Sequence, residues 1–137
     1  MRGWVFEVLR RVIIGNGSAG VVAAETLRHA DTHADITLIG DEPEPPYSRM
    51  AIPYLLMGRI DESGTDLRKQ SGHFERLQIR MLRGRFEAID SGRREVRLAD
   101  GSTLPFDRLL VATGAAAATA SDSGNRVGGG PGMLDAG

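Results

Sequence analysis

Three glycines near the start of the chain, Gly15, Gly17 and Gly20 in "VIIGNGSAG", have the spacing G-x-G-x-x-G. The first glycine permits a tight turn, the second lets the backbone approach a phosphate without an intervening β-carbon, and the third lets a helix pack closely on a strand. The free amides of a helix that begins at Ser18 and Ala19, together with the helix dipole, favour an anion. This spacing therefore predicts a site for the pyrophosphate of a dinucleotide, with a glycine-rich turn that binds nothing as the alternative.

Such a site needs a strand before the glycines and a helix after them. Val12 to Ile14 form a β-branched run, small and apolar residues then recur at helical spacing from Ser18, and Ile36 to Ile39 form a second β-rich run. Asp41 and Glu42 end this second run, about 20 residues after the glycines, where a carboxylate can accept ribose hydroxyls. The first part of the chain is thus predicted to be a βαβ unit.

Beyond Ile79 the pattern changes to short strands joined by the turns "SGR" and "DGS". We expect a small antiparallel excursion that includes "MLRGRFEAID" and ends in a buried strand, Leu109 to Ala112. The predicted fold is α/β, with a Rossmann-like βαβ unit, a parallel sheet and this antiparallel β excursion. It occupies residues 1–115, and the Ala- and Gly-rich residues 116–137 are predicted to be a disordered tail.

Composition restricts the possible partners. The chain has 137 residues, enough for one domain, and its net charge of −1 gives no electrostatic reason to expect nucleic acid or an anionic membrane. It has no cysteine, so thiol chemistry is excluded, and it has no run of about 20 apolar residues. Asp31, His33 and Asp35 lie close together in "DTHAD", but a polar connection explains them and no metal site is expected. A soluble, cytoplasmic protein is predicted.

Three motifs in order, "VIIGNGSAG", "ITLIGDEPEPPYSR" and "DGSTLPFDRLLVATGA", span most of Val12 to Ala115. Together they resemble the N-terminal part of the FAD-dependent pyridine nucleotide-disulfide oxidoreductase family. The resemblance is closest to members without a redox disulfide, such as the ferredoxin, rubredoxin and nitrite reductase flavoproteins. It implies FAD as cofactor and NAD(P)H as co-substrate, with hydride transfer to the flavin and electrons passed to a protein or small acceptor.

The resemblance also implies a set of FAD contacts besides the glycines. Glu42, with Asp41 beside it, would bind the adenosine ribose. Arg49 in "PPYSR" would lie near the FAD phosphates or the flavin, with an exposed loop arginine as the alternative, and the backbone of Phe86 would face the adenine. Two residues of the A-T-G turn complete the set, whose members are Gly15, Gly17, Ser18, Ala19, Gly20, Asp41, Glu42, Arg49, Phe86, Thr113 and Gly114.

The sequence departs from the family after Ala115, where alanines and glycines replace the passage to an NAD(P)-binding domain. We therefore expect an incomplete FAD-binding portion with no site for NAD(P)H, inactive alone, and no catalytic residue is assigned. Completion of the enzyme by a second chain stays open. A stand-alone ADP- or dinucleotide-binding module without redox activity and an inert gene remnant are the alternatives.

Overall fold

Residues 8–114 are the part of the chain that the computed structural model describes. The strands in this part are β1 (Arg10–Ile14), β2 (Asp35–Gly40), β3 (Ile79–Arg83), β4 (Phe86–Asp90), β5 (Glu95–Leu98), β6 (Thr103–Pro105) and β7 (Arg108–Val111). The helices are α1 (Ser18–Ala30), α2 (Ile52–Leu56) and α3 (His73–Arg76), and short 3₁₀ turns lie at Arg49–Ala51 and Glu62–Thr65. The predicted tail, residues 116–137, lies outside the described residues.

The strands form two sheets. Four parallel strands have the order β3-β2-β1-β7, and three antiparallel strands have the order β4-β5-β6. The chain runs from β1 through α1 to β2 and returns later to the other side of β1 as β7. The predicted α/β class, with its parallel sheet and small antiparallel excursion, is confirmed.

The path of "MLRGRFEAID" differs from the prediction. Its first half is β3, which pairs in parallel with β2 through Ile79 opposite Ile36, and only its second half, β4, is antiparallel. The chain changes sheets at Gly84, whose amide donates to the carbonyl of Gly40 at 2.8 Å. The alternation of apolar and polar residues along a strand cannot distinguish parallel from antiparallel pairing, because that depends on the strand it pairs with.

The last strand also differs from the prediction. β7 is the edge of the parallel sheet in residues 8–114, so Leu110 and Val111 are 43% and 51% exposed rather than buried. Their apolar character is that of a strand covered on both faces.

The core lies on both faces of the parallel sheet, which explains why β1 and β2 are continuous apolar runs rather than alternating ones. One face packs under α1 and is formed mainly by Ile13, Val21, Ala24, Ile36, Leu38 and Ile79. The opposite face packs against the antiparallel sheet and is formed by Val12, Ile14, Ile39, Val96, Leu98 and Phe106.

Polar contacts fix α1 against the segment that precedes β3. The carboxylate of Glu25 accepts two hydrogen bonds from Arg68, at 2.6 and 2.7 Å, and lies 3.0 Å from Nε2 of His73. The hydrogen bond from Arg68 is the main cause of the lowered pKa of Glu25. Arg28, which is buried, donates to the carbonyls of Leu77 and Gln78 at 2.7 and 3.0 Å. These contacts hold the helix whose N-terminus faces the site described below.

No helix within residues 8–114 has the length and apolar character needed to cross a membrane.

Candidate functional site

A cleft of about 550 Å³ opens at the carboxyl ends of the parallel strands. β1 has β2 on one side and β7 on the other, so the connections from this point of the sheet run in opposite directions. Open α/β sheets bind ligands at such a point. Ten of the eleven predicted site residues line it, namely Gly15, Gly17, Ser18, Ala19, Asp41, Glu42, Arg49, Phe86, Thr113 and Gly114. The structure thus brings together residues up to 99 positions apart in the sequence (Gly114 minus Gly15).

Gly17 caps α1 and faces open space. Its backbone has φ −74° and ψ −169°, and a β-carbon added to it would meet no atom of the described residues within 4 Å. Ser18 and Ala19 follow at the exposed N-terminus of this 13-residue helix, whose first turn contains no acidic side chain. The space in front of these amides suits an anionic group that approaches the backbone closely. The residues present therefore fit a pyrophosphate.

The other two glycines of the motif serve the fold. Gly15 has φ +107°, and a β-carbon there would overlap the carbonyl oxygen of Ala112 at the end of β7. A β-carbon on Gly20 would overlap the carbonyl oxygen of Gly15, so α1 can approach β1 only because this residue lacks a side chain. Gly20 is the one predicted residue that does not line the cleft, since it is buried beneath the turn.

Glu42 and Arg49, predicted to bind different parts of a ligand, contact each other. Nη2 of Arg49 lies 3.2 Å from Oε1 of Glu42, with the two side chains 66% and 34% exposed. Asp41 is exposed at the same edge of the cleft. The pKa of the Tyr47 phenol is raised, and the neighbouring Glu42 carboxylate is the main cause.

The remaining predicted residues lie at the two ends of the cleft. Phe86 is half-buried just after β3, at one edge of the sheet, whereas Thr113 and Gly114 are exposed just after β7, at the other. Adjacent strands are about 4.8 Å apart, so the four strand ends span about 14 Å. The order across the cleft is Phe86, then Glu42, then the glycine turn, then Thr113.

Several cleft residues lie outside the predicted set of site residues. Asn16 occupies the unspecified position of G-x-G, and its side chain packs on Gly40, where a β-carbon would overlap it. Tyr47 and Arg85 also line the cleft. Tyr47 stands two residues before Arg49 in "PPYSR". Alternate side chains of an extended segment lie on the same face, so this spacing could have indicated that Tyr47 lies at the cleft with Arg49.

A second cleft of about 480 Å³ adjoins the first and shares Asn16, Gly40 and Glu42 with it. Its walls are the proline-rich loop 43–46 and the segment 68–75, which carry charges of both signs. Within residues 8–114 no group of three or more potential ligands could hold a metal ion.

A parallel βαβ sheet whose first turn opens onto a cleft at the strand ends defines the class of Rossmann-like nucleotide-binding domains. The family model described as pyridine nucleotide-disulphide oxidoreductase matches residues 9–132, and the chain belongs to this family. The family expected from the three motifs is thereby confirmed. Ferredoxin and rubredoxin reductases of this family use FAD and NAD(P)H.

Among curated relatives, the ferredoxin–NAD(+) reductase component of the anthranilate 1,2-dioxygenase system of Burkholderia cepacia is 36% identical over 75% of this chain and 26% of its own length. The rubredoxin–NAD(+) reductase of Pseudomonas putida is 32% identical over 86% of this chain and 31% of its own length. A chain in the crystal structure of the covalent putidaredoxin reductase–putidaredoxin complex has a TM-score of 0.75 and 29% identity, over 85% of this chain and 28% of that one. The chain therefore spans roughly a quarter to a third of the proteins it matches.

Proposed function

We propose that this chain binds the ADP half of FAD and forms that part of an NAD(P)H-dependent flavoprotein reductase. The observation that carries the proposal is the open space at Gly17, in front of the N-terminus of α1 and inside the cleft. In a turn that binds nothing, a side chain at this position would be tolerated, so the structure offers no folding reason for glycine there. Membership of a flavoprotein family supports a dinucleotide as the ligand.

The order of residues across the cleft supports a separate proposed role for each part of the ligand. The pyrophosphate would lie against Gly17 and the first amides of α1, and the ribose hydroxyls would bind the Glu42 carboxylate one strand further along. The adenine would then lie over the end of β3, beside Phe86. The rest of the cofactor would extend the other way, towards Thr113 and Gly114 after β7.

Bound FAD supplies a flavin ring that accepts a hydride. We propose NAD(P)H as the hydride donor and a ferredoxin- or rubredoxin-type protein as the acceptor, because the matched relatives carry these names. The single glycine fingerprint of the chain is assigned to FAD. The nicotinamide site is therefore proposed to come from further residues of a longer protein or from a second chain.

Calorimetric titration with FAD and with ADP tests the proposal. We expect both to bind with similar affinity at one site, because the cleft would contact the ADP half, and we expect Gly17→Val to weaken both interactions strongly. Binding of neither ligand by the folded chain would contradict the proposal. ADP binding combined with no measurable FAD binding would favour a stand-alone ADP-binding module.

A further inference from the structure

Asn16 is held between the ends of two neighbouring strands. Gly15, which precedes it, donates its amide to the carbonyl of Ile39 in β2 at 2.8 Å. The Asn16 side chain lies against Gly40, the last residue of β2, so closely that a β-carbon on Gly40 would overlap the amide group. The carbonyl of Gly40 accepts a hydrogen bond from the amide of Gly84 at 2.8 Å. The backbone on both sides of this contact is therefore fixed.

The amide of Asn16 lies on the path proposed for the ligand. Asn16 directly precedes Gly17, against which the pyrophosphate would lie. On its other side it packs on Gly40, two residues before the Glu42 carboxylate that would bind the ribose. All four residues line the same cleft. A ligand that runs from the N-terminus of α1 to Glu42 would therefore cover the Asn16 amide.

The Asn16 amide is available to such a ligand. Asn16 is half-buried, and within residues 8–114 no hydrogen bond joins its side chain to another residue. A side-chain amide has two N–H donors and a carbonyl acceptor. A polar group that loses its water without gaining a partner costs free energy. A ligand that covers this amide should therefore form a hydrogen bond with it.

The ribose hydroxyls are the ligand groups that suit both Asn16 and Glu42. A hydroxyl donates one hydrogen bond and also accepts, whereas an ionised carboxylate only accepts. Glu42 can therefore accept from a ribose hydroxyl, but it cannot donate to the hydroxyl oxygen. The Asn16 amide lies on the Glu42 side of the glycine turn, because it packs on Gly40, and its N–H groups can supply that donor.

We propose that Asn16 is a binding residue whose side-chain amide donates to a ribose hydroxyl of the bound nucleotide, opposite the Glu42 carboxylate. The proposal rests on the proposed function, because it takes the ligand to be an adenosine diphosphate. It makes the unspecified position of G-x-G a specificity contact for an intact ribose diol.

The first test is calorimetry with ADP and with 2′,3′-dideoxy-ADP. Asn16→Ala removes the amide and should weaken ADP binding about three- to tenfold, as expected for one hydrogen bond between neutral groups. It should leave the affinity for dideoxy-ADP unchanged, because that ligand lacks both hydroxyls. Gln70→Ala is the matched control, since it removes an amide that lines only the second cleft, and it should bind ADP like the parent.

The second test displaces the amide without changing Asn16. Gly40→Ala puts a β-carbon where the amide lies, and the amide can move away because it ends a side chain that rotates. We expect the same loss of ADP affinity as in Asn16→Ala, and again no loss for dideoxy-ADP. In an Asn16→Ala background, Gly40→Ala should cause no further loss. Thermal unfolding checks that each variant is folded, and the first test decides alone if Gly40→Ala is not.

The outcomes separate the inference from the proposed function. Equal losses of ADP and dideoxy-ADP affinity in Asn16→Ala would indicate that the amide only supports the glycine turn, and would overturn the ribose contact. No loss of either affinity would overturn it too, while ADP binding by the parent chain survives. If the parent chain bound no ADP, the proposed function and the ribose role of Asn16 would both fall.

Discussion

Replacement of Gly17 by valine should greatly weaken nucleotide binding and leave the fold nearly intact. The new side chain would project into the cleft, because a β-carbon at this position meets no atom of residues 8–114 within 4 Å. The backbone at φ −74° and ψ −169° is in a region that valine adopts without strain. The substitution therefore tests whether glycine is needed at this position for ligand binding, without a large effect on folding.

The two expected magnitudes differ widely. For folding, the relevant cost is that of valine instead of glycine at a helix N-cap, which is within about 1 kcal/mol. For a chain of this size that corresponds to a fall in Tm of about 3–5 °C. For binding, the valine would hold the pyrophosphate away from the amides of α1. Loss of one or two hydrogen bonds to a charged group, about 3 kcal/mol, corresponds to roughly a hundredfold weaker binding.

The assay is calorimetric titration with ADP alongside thermal unfolding followed by circular dichroism. Gly92→Val provides the control, because Gly92 lies in the turn between β4 and β5, outside both clefts, and a β-carbon there reaches only the Asp90 side chain, at 3.4 Å. This control should bind ADP like the parent. Unchanged ADP affinity in Gly17→Val, or a fall in Tm as large as that of a core substitution, would refute the reasoning.

Three further predictions follow from other contacts. Gly20→Ala should unfold or severely destabilise the chain, since its β-carbon would overlap the Gly15 carbonyl oxygen; a near-parental Tm would contradict this packing. The pKa of Glu25 is lowered chiefly by Arg68, so its contribution to stability is present above the ordinary glutamate pKa and is lost as the pH falls through the lowered value. Denaturant unfolding at neutral and acidic pH should show that Glu25→Gln destabilises the protein at neutral pH and that the difference shrinks in acid. Finally, with excess FAD the chain should oxidise NADH no faster than free flavin, because nicotinamide positioning, roughly 7–11 kcal/mol of the barrier, needs a second binding surface; turnover above that control would count against the proposal.

The parts of the fold that the sequence predicts are those set by neighbouring residues. β1, α1 and β2 follow directly from two β-branched runs and a helical period between them. The turn between β5 and β6 follows from Gly101, whose φ is +88°. The pairing of β3 with β2 was missed because it joins residues 43 positions apart (Ile79 minus Ile36), and no local pattern carries that information. The exposure of β7 was missed for a related reason. Its apolar residues indicate a covered strand, but the sequence does not show which elements lie beside it.

The predicted site residues lie close together, and their binding of a ligand stays a prediction. Motif positions placed ten residues around one cleft, but the motifs describe each residue singly. The ion pair between Glu42 and Arg49 and the place of Tyr47 in the cleft wall depend on the path of a proline-rich loop. Backbone hydrogen bonds to residues 65–67 fix this loop. Such contacts depend on tertiary placement, so they became visible only with the structure.

The glycine motif itself combines two physical requirements that its spacing cannot separate. Gly15 and Gly20 are glycine because protein atoms occupy the space of a side chain, and the same residues would be needed in a fold of this shape that bound nothing. Gly17 alone is glycine where the protein leaves the space open. A spacing match therefore reports mainly on the strand–turn–helix geometry, and the specific indication of a ligand comes from the middle glycine. It follows that comparing the stability and binding effects of substitutions at Gly17 and Gly20 is a more direct test of nucleotide binding than the presence of the motif.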